Sequence, residues 1–210
     1  GHEIHRLYEA AFFVPHRDDH LGEAGNIVAA AASRQADGGI GGIADERGVE
    51  IAVPVDLRAA VSSALTMMEP QLRARTIRAN RNLPRGRVMV LADRIRLEQV
   101  IINLLRNAID AVRDRREAQI DISVESGSHA YVSVRDNGPG VSDLEKLFEP
   151  FWTTKKPGEG TGLGLAISST IVADFGGRLT AHNETGGGAV FQVELPLHRP
   201  GRSREAMAAE

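Results

Sequence analysis

Arg96–Val112 reads RLEQVIINLLRNAIDAV, and the fold follows from how this stretch winds. At about 100° per residue, a helix puts Gln99, Asn103, Arg106, Asn107 and Asp110 on one face. Leu97, Val100, Ile101, Leu104, Leu105, Ala108 and Val112 take the opposite arc, the apolar stripe by which a helix lies on a sheet. Glu98 points well away from the asparagine face. Asn is a mediocre helix former, because its short amide competes for backbone hydrogen bonds. A merely solvated face would carry Lys, Glu and Arg. The two carboxamides and the acid beyond them therefore read either as bridges to backbone or as ligands, and the flanking sequence weighs on the choice.

Outward from this helix the chain supplies a sheet. On the N-terminal side, VEIAVPVDL (Val49–Leu57) is strand-like, with Pro54 suited to an edge, and Asp56 is placed to cap a helix from Leu57 to about Ala74. Thr76–Asn82 and Arg87–Leu91 alternate as a strand pair around LPRG. On the C-terminal side, Gln119–Glu125 and Ala130–Arg135 alternate as a hairpin whose second strand runs into DNGPG. A glycine-rich segment follows, then a helix from about Gly162 to Phe175 closing on Gly176 and Gly177, then strands at Arg178–His182 and Ala189–Leu195. Helices inserted among antiparallel strands imply an α+β chain, a two-layer α/β sandwich whose mixed, largely antiparallel sheet is covered on one face by helices.

The ends differ from this middle. Residues 1–45 hold four of the seven histidines without a clean period, an alanine-rich helix at His20–Ala36 and a connector, DGGIGGIA, at Asp37–Ala44. The compact domain is expected over 46–197, with a polar tail at 198–210. A formal charge of -3 gives no reason to expect nucleic acid as partner. The absence of Cys removes thiolate nucleophiles, disulfides and cysteine metal sites together. No apolar run reaches the roughly 18 residues of a membrane span, so any membrane anchor is expected to lie outside this chain.

Three segments carry chemistry. In Asp136-Asn137-Gly138-Pro139-Gly140 the carboxylate leaves a strand end where glycines let backbone approach a flat ligand; a plain turn is the competing reading. Gly158-Glu159-Gly160-Thr161-Gly162-Leu163-Gly164 opens a helix, offering bare N–H groups and a positive dipole end to an anion. Alone this run is weak, because it lacks the Lys-Ser/Thr ending of a P-loop. Between them lies LFEPFWTTKK, Leu147–Lys156, where Phe151 and Trp152 are suited to clamp a lid and Lys155 or Lys156 to reach phosphates.

In this order and spacing the segments resemble the nucleotide-binding domain of bacterial sensor histidine kinases, within the superfamily that includes gyrase, Hsp90 and MutL ATPases. The resemblance covers Val49–Pro196 and implies the Bergerat-type ATP-binding fold, ATP and Mg²⁺ as cofactors, and protein-histidine kinase activity. It implies that Asn107 ligates Mg²⁺ and that Asn103 stands where hydrolysing relatives keep a Glu that activates water. It makes Asp136 the reader of the adenine amino group, with Gly138 and Gly140 its glycines and Phe148 and Phe151 the aromatic box. Gly160, Gly162 and Gly164 become lid glycines at the triphosphate, accompanied by Thr161 and Leu163. Asp110, Arg106, Thr161 and Lys155 occupy positions that vary in type within such families. The implied partners are a histidine-bearing dimerisation hairpin, which would make a homodimer, and the receiver domain of a response regulator.

The chain also departs from the family. His2-Glu3-Ile4 begins like the phosphoacceptor, but His5-Arg6-Leu7 does not continue it. Two other functions remain in view: an ATP hydrolase switch, which needs a carboxylate at position 103, and a nucleotide-responsive binding module without catalysis.

Overall fold

The computed structural model describes residues 52–155 and 161–199. The chain divides into two compact units, 1–41 with 155–160 and 42–154 with 161–210. Apart from Lys155, everything described belongs to the second. The helix expected at 20–36, the connector at 37–44, the early histidines, Lys156, Gly158, Gly160 and the tail beyond 199 lie outside the described residues.

The elements run β1 (Val53–Asp56), α1 (Leu57–Ala74), β2 (Arg78–Asn82), β3 (Met89–Ala92), α2 (Arg94–Ala111), β4 (Gln119–Ser126), β5 (His129–Asp136), α3 (Gly164–Asp174), β6 (Arg178–Asn183) and β7 (Ala189–Pro196). A five-stranded sheet has the order β2-β4-β5-β7-β6, and β1 pairs with β3 in a small second sheet. Only the β2–β4 pairing in the large sheet is parallel. No helix among the described residues is long and apolar enough to cross a membrane.

Both long helices start where a carboxylate accepts an orphan amide. Asp56 accepts from Arg58 N at 3.2 Å, and Asp93 from Arg96 N at 2.8 Å. The side-chain hydrogen bond from Arg58 holds the Asp56 carboxyl below its usual range, against the opposing pull of burial. α2 is the central helix, packed on α1, α3 and β5. That position explains why Ile102 and Ile109 are buried as well as the predicted arc of Leu97, Ile101, Leu104 and Leu105. Each such side chain contributes about 1.5–3 kcal/mol by leaving water.

The sheet buries alternate residues. On β4 these are Ile120, Ile122 and Val124, and on β5 Ala130, Val132 and Val134. The next inward position on β5 is Asp136, paired across to Ile120, so the strand's own period carries a carboxylate under the helices.

The expected pairing of the two strands around LPRG is not what forms. β2 lies parallel to β4, with Arg78 opposite Gln119, while β3 runs antiparallel to β1. The cause is composition. RANRN is almost wholly exposed and suits a sheet edge, whereas Val90 and Ala92 of β3 are fully buried. Arg58 also holds the connection open, donating from Nη1 to the Pro84 and Arg85 carbonyls at 3.2 and 2.8 Å. A bridge between Val90 and Leu197, with His198 N donating to Met89 O at 2.7 Å, ties the small sheet to the end of β7.

Candidate functional site

Asp136 is 2% exposed. Its Oδ1 accepts from Gly138 N at 2.8 Å and from Ala189 N at 3.4 Å. No hydrogen bond among the described residues reaches Oδ2, yet no fully buried side-chain polar atom lacks a partner. Oδ2 therefore keeps some solvent-accessible surface and an unused acceptor. Burial pushes this carboxyl above its usual pKa, and the two backbone amides and the charge of Arg115 pull the other way without cancelling it. A Cβ on Gly138 would stand 2.7 Å from Asp136 Oδ1 and 2.9 Å from the Ala111 carbonyl, so the turn passes flush against both the acid and the end of α2.

Neighbouring groups hold this turn in place. Asn183 at the end of β6 accepts from Val141 N at 2.7 Å and donates to Val141 O at 2.8 Å. Arg115 donates to the Gly138 carbonyl at 2.7 Å. Asn137 faces the other way, its carboxamide accepting from Gln119 N at 2.9 Å and donating to Glu117 O at 2.7 Å. A separate cavity of about 530 Å³, bounded by Ile77, Arg116, Gln119 and Asn137, involves none of the predicted site residues.

The two asparagines of α2 differ sharply. Asn103 is 7% exposed and donates from Nδ2 to Ser168 Oγ on α3 at 2.9 Å. Asn107 is half-buried, and its carboxamide makes no hydrogen bond among the described residues. Asp110 sits among arginines, 3.4 Å from Arg75 and 3.2 Å from Arg113. Burial pushes the neighbouring Arg106 guanidinium below its usual pKa, and the charge of Asp110 opposes that shift.

At the start of α3, Gly162 has φ +68°, and a Cβ there would stand 2.5 Å from the Phe151 carbonyl carbon. Its own carbonyl accepts from Phe151 N at 3.0 Å. Position 162 thus requires glycine for a left-handed turn against another backbone. Phe151 is itself left-handed, φ 65°, and 65% exposed, while Phe148 is half-buried. Thr161 Oγ1 accepts from Leu163 N at 3.4 Å. Lys155 belongs to the other compact unit.

Asn103, Asn107, Asp136, Gly138, Gly140 and the first turn of α3 thus fall within one folded unit whose packing runs through α2. Sequence reasoning missed Ser168, Arg115 and Asn183. The spacing of four between Gly164 and Ser168 was the one available sign of the first; the other two carry none. Among the described residues no three His, Cys, Asp or Glu side chains gather as a metal site. An unengaged carboxamide such as Asn107 does offer the oxygen donor that Mg²⁺ accepts alongside phosphate and water. An inward carboxylate with one open oxygen, beside a glycine that admits close approach, fits a flat base bearing an amino group.

Residues 92–199 match the family of histidine kinase-, DNA gyrase B- and HSP90-like ATPases, and the chain belongs to that family. Its ATP-binding domain is of the kind that forms the catalytic core of two-component sensor kinases. The chain is 42% identical over 157 residues to the two-component sensor PprA of Pseudomonas aeruginosa, a match covering 71% of this chain and 17% of that protein. It is 39% identical over 166 residues to the C4-dicarboxylate transport sensor protein DctB of Rhizobium meliloti, covering 74% and 26%. Among solved structures, the nucleotide-free catalytic domain of histidine kinase ThkA superposes with a TM-score of 0.62 at 34% identity, over 69% of this chain and 95% of that one. The chain spans only 17–26% of the length of those two curated relatives.

Proposed function

We propose that this domain transfers the γ-phosphoryl group of ATP to a histidine on a dimerisation hairpin, for relay to an aspartate of a response-regulator receiver domain. The observation that carries this reading is the amide at position 103, buried and bonded to another side chain. A hydrolase needs a base that takes a proton from water, and Asn103 cannot act as one. Glu98, about 140° away around α2, is held by Arg94 at 2.9 Å instead. A histidine acceptor needs no such base. Its ring nitrogen brings its own lone pair to the γ-phosphorus, the bond to the β,γ-bridging oxygen breaks, and ADP leaves with that electron pair.

The domain then has to position and to neutralise. Asp136 Oδ2 accepts from the exocyclic amine of adenine, with Gly138 and Gly140 admitting the ring and Phe148 and Phe151 beside it. The amides of Thr161, Gly162, Leu163 and Gly164 face the phosphates at the start of α3, where the helix dipole favours negative charge. Asp110 borders the nucleotide. Asn107 would hold Mg²⁺, which would supply positive charge to neutralise the phosphates. Asn103 orients the transferring group or the incoming imidazole. ATP as donor puts the domain in the cytoplasm.

Labelled ATP tests this directly, with the chain alone and with a histidine-bearing hairpin added. Label on the hairpin or the chain is the expected result. Steady phosphate release, abolished by Asn103→Ala, would establish the hydrolase instead, and binding with neither outcome would establish a nucleotide-responsive module.

A further inference from the structure

Asn103 is gripped from two sides by α3. Ser168, 2% exposed, takes its Nδ2 hydrogen at 2.9 Å. One turn earlier, a Cβ on Gly164 would stand 2.5 Å from Asn103 Oδ1 and 3.1 Å from Nδ2. Residues four apart lie one above the other on a helix face. The bare position at 164 therefore makes room for the carbonyl end of the carboxamide while the hydroxyl at 168 receives the amide end, and the plane of the group is fixed.

We propose that Ser168 is a positioning residue for phosphoryl transfer, acting through Asn103, and that Gly164 is glycine in order to seat that carboxamide. The inference rests on the kinase reading above. It adds a linkage, because α3 begins where the glycine-rich segment ends. A shift in the first turn of α3, where phosphates are expected to sit, moves the surface against which Asn103 is held.

The test uses the full 210-residue chain as parent, S168A, S168C, S168T, N103A and N103A/S168A. Calorimetry gives the Kd for Mg-ATP, and transfer is timed from saturating Mg-ATP to a recombinant histidine-bearing hairpin. S168A is expected to slow transfer roughly 10- to 100-fold, the scale of a small misplacement of a reacting group, while Kd stays within about twofold. S168C, similar in shape but a poor acceptor, should lose rate in the same way should the alanine variant fold badly. S168T, which keeps the hydroxyl, should restore it. In the N103A background S168A should have no further effect on rate, since residues acting as one unit are not additive. A purely structural serine would lower thermal stability and rate in either background. S168A at the parental rate, or an equal loss with and without Asn103, overturns the proposal. A parent that binds Mg-ATP and transfers nothing overturns the kinase reading and this role together, and the parent's own rate tells the two failures apart.

Discussion

The amide nitrogen of Gly138 lies 2.8 Å from Asp136 Oδ1, and a Cβ at position 138 would stand 2.7 Å from that same oxygen. The residue that satisfies one side of the buried acid is thus one that cannot carry a side chain. Gly138→Ala should push Asp136 and the Ala111 carbonyl aside, with a strain of about 1–3 kcal/mol. ATP affinity should fall while the far strands of the sheet keep their hydrogen-exchange protection. Calorimetry with ATP checks it, and unchanged affinity would reject the assignment of this turn to the adenine.

Asp136→Asn asks a different question. Both internal bonds converge on Oδ1, so an amide oxygen can inherit them and the fold should survive. The former Oδ2 becomes an NH₂ facing another amino group. ATP affinity should drop by roughly 1.5–3 kcal/mol, and GTP should bind the parent poorly. Equal affinities for ATP and GTP in the parent would sink the adenine role.

The same acid makes stability depend on pH. Burial raises the folded-state pKa of Asp136, so the folded protein keeps a proton that the unfolded chain releases near pH 4. Its favourable contribution is complete below that pH and is lost as pH rises through the raised folded value. Urea unfolding of parent and Asp136→Asn should therefore diverge in favour of the asparagine variant as pH climbs from about 4. A stability difference that stays flat with pH would mean that the carboxyl is not perturbed.

The two asparagines of α2 should separate cleanly. Asn107 has no hydrogen bond to lose among the described residues, so Asn107→Ala should leave thermal stability near the parent while removing the part of ATP affinity that requires Mg²⁺. Binding without Mg²⁺ should persist through Asp136. Asn103→Ala instead strands the hydroxyl of Ser168 in the interior, at about 1–3 kcal/mol of stability. Titrations with and without Mg²⁺, alongside thermal melts, distinguish them. A loss of Mg²⁺-free binding in Asn107→Ala would contradict the division.

What the sequence made legible was periodic. The face of α2 and the inward place of Asp136 follow from helical and strand repeats that local residues alone determine. The partner of β2 was not legible, because proximity along the chain favoured β3 while burial sent an apolar strand inward and a polar one to the edge. Ser168 lies in an apolar helix with little local sign of a role, because its partner is a residue sixty-five positions away. Asn137 looked like part of the binding motif, but its carboxamide is spent on Gln119 and Glu117.

The parallel seam between β2 and β4 also bears on how the chain reaches this state. Asn80 and Asp121, joined at 2.6 Å, are 41 residues apart, whereas β4 and β5 pair through a tight reversal at Ser126–His129. Distant pairings form late because the loop must close before any bond rewards it. The β4–β5 hairpin is thus the natural nucleus, and β2 docks on it only after a longer loop has closed. Until it does, β4 presents an open edge to other nascent chains. The strand that waits carries Arg78 and Arg81, charges that make it a poor template for aggregation.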